Sequence, residues 1–72
     1  MNKNLELLDV VALLTDIPEK HLVKGQVGTI VEIHHNNFYE VEFCNNTGET
    51  IAMFAVKSNK LLHLHYDLKK AG

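Results

Sequence analysis

Gln26-Val27-Gly28-Thr29-Ile30-Val31-Glu32-Ile33-His34-His35-Asn36-Asn37-Phe38-Tyr39-Glu40-Val41-Glu42-Phe43-Cys44 is the stretch on which the fold of this chain turns. Both ends of it repeat every second residue, the pattern of a strand with one face turned to a core. Over 26–34, Val27, Thr29, Val31 and Ile33 alternate with Gly28, Ile30, Glu32 and His34, and the first set is read as the apolar, inward face. Over 38–44, Tyr39, Val41 and Phe43 make one face and Glu40 and Glu42 the other. His35-Asn36-Asn37 between them predicts a hairpin turn, because asparagine tolerates the left-handed backbone that tight hairpins need. Gly25 and Gly28 bracket the start of the first strand, which predicts a turn and then a bulge or a close backbone approach.

Outward from this hairpin the same signals continue. Upstream, Val10-Val11 and the stop at Thr15-Asp16-Ile17-Pro18 predict a strand over 10–15, followed by a loop over 16–24. Residues 1–8 read as an N-terminal arm or a short helical turn. Downstream, Asn45-Asn46-Thr47-Gly48 is a second hairpin signal, 50–56 a nearly continuous apolar strand, 57–60 a tight turn and 61–65 a last short strand. The tail 66–72 is expected to fray, with a turn of helix over 67–70. The expected fold is all-β: a single domain over 1–72, built as a small five-stranded SH3-like barrel with its core in about 9–65. Curling so short a sheet on itself buries a core and reduces exposed edges. The core is predicted from Val11, Leu13, Val27, Val31, Ile33, Val41, Phe43, Ile51, Met53, Leu62 and Leu64. Leu5, Leu7, Leu22, Ile30, Phe38, Phe54 and Leu61 are left over for the outer face, the loops or the arm.

Composition narrows the function classes. The 72 residues are 46% hydrophobic and 22% charged, the balance of an ordinary soluble domain. Nothing approaches the ~18 apolar residues of a membrane span, and no signal-peptide pattern follows Met1. A lone cysteine, Cys44, excludes an internal disulfide and agrees with a reducing, cytoplasmic setting. So small a core leaves little room for a deep pocket, so an independent enzyme, a cofactor or a small-molecule substrate is not expected.

Two stretches carry family resemblances. Residues 24–33, Lys24-Gly25-Gln26-Val27-Gly28-Thr29-Ile30-Val31-Glu32-Ile33, are similar to the glycine-centred core of KOW motifs of ribosomal and transcription-elongation proteins. A wider likeness joins Leu8-Asp9-Val10-Val11-Ala12-Leu13-Leu14, residues 25–32 and Tyr39-Glu40-Val41-Glu42-Phe43. Over roughly 5–64 the chain resembles a small bacterial family, domain of unknown function number 4926, common in cyanobacteria. That resemblance implies a short stand-alone bacterial protein and brings no site residues with it. Some such small chains belong to toxin–antitoxin or immunity pairs.

Four groups of residues remain to be weighed for chemistry. Histidine is frequent, five in 72, and His34, His35, His63 and His65 sit at strand ends where imidazoles can ligate a metal. With no second cysteine and no H-E-x-x-H spacing, exposed strand-edge histidines explain the pattern and no metal site is expected. Cys44 beside a histidine could act as a nucleophile, but a lone strand-end cysteine is ordinarily inert. All seven basic residues are lysine, the net charge is −2 and the pI is about 6.2, against the arginine-bearing basic patches of nucleic-acid binders. Lys20, Lys24, Lys57 and Lys60 are the set that would serve a KOW-like nucleic-acid domain. The preferred reading is a protein-interaction module, possessing an acidic strand face of Glu32, Glu40 and Glu42 and the aromatic anchors Phe38, Tyr39 and Phe54. Its partner is expected to be a basic protein or a second copy of the chain, as for an antitoxin or immunity protein.

Overall fold

The computed structural model describes residues 5–65. The tail and its expected helical turn, and Lys3, Lys69 and Lys70, lie outside them. Five strands follow one another: β1 (Val10–Leu13), β2 (Val27–Ile33), β3 (Phe38–Cys44), β4 (Thr50–Lys57) and β5 (Leu61–His63). A short 3-10 helix, Pro18–Lys20, interrupts the β1–β2 loop, and a second, Ser58–Lys60, turns β4 into β5. All pairings are antiparallel and form one sheet in the order β4-β3-β2-β1-β5. Among the described residues no ladder joins β5 back to β4, so the sheet they form has two edges where a closed barrel has none.

Turn chemistry places the hairpins. Asn36 and Asn37 both adopt left-handed backbone, φ 61° and 65°, the conformation that matches the twist of paired strands across a two-residue turn. At the second hairpin the Asn45 side-chain oxygen accepts hydrogen bonds from the backbone N–H groups of Thr47 and Glu49, at 3.0 and 2.9 Å. Upstream, Ile17 and Leu22 form a two-way backbone bridge and both are buried, so the long β1–β2 loop is pinned to the core at its middle.

Directly opposed residues share a face, so the register sorts the side chains. Val11 faces Gly28 and His63, Leu13 faces Leu61, and Ile30 faces Val41. Val41 in turn faces Phe54, Tyr39 faces Val56, and Phe43 lies between Gly28 and Ala52. This inner face, with Leu5, Ile17 and Leu22 from the arm and loop, is the core; Ala52 and Phe54 pack on it. The opposite face carries Val10, Ala12, Val27, Thr29, Glu32, Glu40, Glu42, Met53, Ala55 and Leu62.

The expected core is therefore half corrected. Val11, Leu13, Val41 and Phe43 are buried, but Val27, Ile33, Ile51, Met53 and Leu62 are 46–54% exposed, and Val31 and Leu64 are half-buried. Ile30, Leu61, Leu5 and Leu22, expected outside, are buried instead. In β2 the faces are exchanged over 27–30, where Gly28 points inward: a Cβ there would lie 2.7 Å from Val41 Cγ1 and 2.9 Å from both Phe43 and the Glu42 carbonyl. The close approach expected at Gly28 is present, and a register shift between Ile30 and Glu32 leaves Val31 as an extra residue. β4 and β5 lack alternation, and their faces follow from pairing.

The arm covers part of the core rather than standing off it. Leu8 N–H donates to the Ile30 carbonyl at 2.7 Å and Ile30 N–H to the Asp9 carbonyl at 2.9 Å, which lays residues 5–9 along β2.

Candidate functional site

Two surfaces gather chemistry. The first is the outer face of β2, β3 and β4. Glu32 stands directly opposite Glu40, and Glu42, two residues along β3, stands opposite Thr29 and Met53. Like charges opposed across a ladder destabilise it, by roughly 0.2–1 kcal/mol a pair. Two of the carboxylates have a polar side-chain partner: His34 Nε2 lies 2.7 Å from Glu40 Oε1, and the Thr50 hydroxyl donates to Glu42 Oε2. Among the described residues, the other histidine–carboxylate contact is His63–Asp9, and no lysine lies within salt-bridge distance of these glutamates. Exposed Met53 abuts Glu42, and exposed Val27 and Leu62 flank Ala12 at the other end of the same face.

The second surface is an open-sided groove of about 300 Å³, between the Pro18–Lys20 helix, β4 and the Ser58–Lys60 helix. Ile17, Phe38, Phe54 and Val56 form its apolar lining, and Lys20, Lys57 and Lys60 stand around it. The Lys20 ammonium lies 5.0 Å from the centre of the Phe54 ring, a cation–π contact. Phe54 itself stacks on core Phe43, with ring centres 5.9 Å apart.

The residues singled out from sequence thus divide between two places. Glu32, Glu40 and Glu42 come together as expected, and Phe38 shares their strand face at the end where the groove begins. Phe54 belongs to the groove. Tyr39, expected as a contact residue, is 7% exposed and packs in the core opposite Val56, so it is no surface anchor. Lys20, Lys57 and Lys60 converge, whereas Lys24 does not line the groove; its backbone N–H donates to Asp16 Oδ1 at 2.7 Å. Met53, Val27 and Leu62 were assigned to the core by sequence; β4 and β5 hold no polar alternation that could have placed Met53 and Leu62 outside, and Val27 follows the inward turn of Gly28.

The histidines do not assemble. His63 and His65 lie with ring centres 4.0 Å apart, and His63 Nε2 is 3.4 Å from Asp9 Oδ2. His34 and His35 sit at the far end of β2, His34 held by Glu40. Among the described residues no group of three His, Cys, Asp or Glu side chains is placed to hold a metal. Cys44 is exposed and free.

The model of a family described as a domain of unknown function (DUF4926) matches residues 7–63. The chain belongs to this family. The matched span runs from the turn before β1 to the last residue of β5, so the DUF4926 domain coincides with the sheet and contains both the acidic face and the groove. No curated protein and no solved structure matches the chain. No helix among the described residues is long and apolar enough to cross a membrane.

Proposed function

We propose that this DUF4926 chain is a non-enzymatic, cytoplasmic protein-interaction module that caps a basic segment of a partner protein with its Glu32/Glu40/Glu42 face, as an antitoxin or immunity protein would. The architecture proposed with it is the SH3-like barrel. The strand order supports this, with β1 between β2 and β5 and a 3-10 turn leading into β5.

The observation that carries the reading is the direct opposition of Glu32 and Glu40, with Glu42 beside them. A sheet built for stability alone would place a lysine or threonine, not a second glutamate, opposite Glu32 or Glu40. A basic partner relieves the repulsion, and exposed Met53 adds apolar contact beside it.

The test compares the tagged chain with its Glu40→Lys/Glu42→Lys variant, after circular dichroism shows that both fold. Each is used to capture proteins from the native cell, with identification by mass spectrometry. The expected result is a basic protein retained by the first, lost by the second and released as salt rises. A partner held equally by both, or indifferent to salt, overturns the reading.

A further inference from the structure

The groove along β4 adjoins the acidic face, since its lining residues Ala55 and Lys57 stand opposite Glu40 and Phe38, but the charges it gathers are of the opposite sign. Lys20 comes from the β1–β2 loop, Lys57 from the end of β4 and Lys60 from the turn after it. None of them has a carboxylate within salt-bridge distance among the described residues, and Glu19 is the single acid in the lining. Lys20 is pre-placed: its ammonium rests over Phe54, whose ring is fixed in turn against Phe43. An anion entering here meets a cation already oriented, with less side-chain freedom left to lose.

The groove also has a direction. Phe54, Ala55, Val56 and Lys57 are consecutive, and alternate residues of a strand point to opposite faces, yet all four line it. A groove that touches both faces of one strand runs along that strand's edge. β4 is an edge of the sheet, and its backbone groups turned away from β3 have no backbone partner among the described residues. Unpaired edge groups are the template on which an extended peptide adds as a further strand.

We infer that this groove binds an extended acidic peptide segment, which adds to β4 as a sixth strand and presents its carboxylates to Lys20, Lys57 and Lys60. On the core side of the sheet an apolar side chain of the peptide rests against Phe54. The same observations disfavour a nucleic-acid strand. Base stacking needs an open ring face, but Phe54 is covered by Lys20 and packed on Phe43. The chain has no arginine to fork onto phosphate, and its net charge is −2.

The experiment uses fluorescence anisotropy with three labelled probes on the full chain: an octapeptide alternating glutamate and valine, one alternating lysine and valine, and a single-stranded oligothymidylate of eight nucleotides. The acidic peptide is expected to bind, and the basic peptide not to. Lys20→Gln/Lys57→Gln/Lys60→Gln is expected to weaken the acidic peptide about tenfold, from the loss of three exposed ion pairs. Amide shifts in the nitrogen-15 NMR spectrum of the unsubstituted chain, with the acidic peptide added, should centre on 54–57 and need no variant to fold. Three results overturn the inference: no binding of the acidic peptide, tighter binding of the oligonucleotide, or amide shifts that spare β4.

Discussion

β3 and β4 lie side by side in one ladder, seven and eight residues long, and read quite differently. In β3, Tyr39, Val41 and Phe43 are buried and Glu40 and Glu42 stand on the other face. In β4 every residue from Ile51 to Val56 is apolar, yet Val56 alone is buried; Ile51 and Met53 face solvent. The difference teaches that a strand's orientation is fixed by the residues it cannot bury. Turning Glu40 and Glu42 inward would cost several kcal/mol each, as for any unpaired buried charge. Turning Met53 outward forgoes only about 1.5–3 kcal/mol of burial. β3 therefore chooses its own face, and β4 takes the face its pairing to β3 assigns.

Substitutions on the two strands and their neighbour test that contrast. Phe43→Ala should have the largest effect, a loss of about 3–5 kcal/mol in urea unfolding, because its site is closed on all sides. Gly28→Val should cost about 1–3 kcal/mol by the same measurement, since the new side chain meets Val41, Phe43 and the Glu42 carbonyl. Glu32→Thr should act in the opposite direction, raising the thermal midpoint through a gain of about 0.2–1 kcal/mol as the opposed carboxylates are relieved. Met53→Ala should do least, within about 0.5 kcal/mol, because the side chain is already in solvent. If Met53→Ala matched Phe43→Ala, the assigned faces of β4 would be wrong.

Legibility followed the same physics. The hairpin at Asn36-Asn37, the limits of β3 and the close approach at Gly28 could be read because each rests on local chemistry: left-handed φ, alternation, a missing Cβ. The acidic face was legible for the same reason, three glutamates with one side available to them. The faces of β2 were exchanged over 27–30 because the apolar count favours Val27 and Val31 over Ile30, while Gly28 decides by what it lacks. Tyr39 was placed on the surface by residue type, but it occupies the buried phase of β3. The groove joins Lys20 to Lys57 and Lys60 across a long loop; sequence offered the grouping, and the pinned Ile17–Leu22 bridge brings it about.

By itself the sequence determined that this is an all-β chain of five short strands, where it turns, and that Glu40 and Glu42 share one face of β3. Those features depend on neighbours within a few residues, through backbone dihedrals and the two-residue repeat of a strand. Tertiary structure alone decided which of the apolar residues became core, that Tyr39 left the surface, and that Lys20 came to rest over Phe54 in a groove along the edge of β4. Each depends on register across strands distant in sequence, where one residue of slip moves a whole side-chain set to the other face.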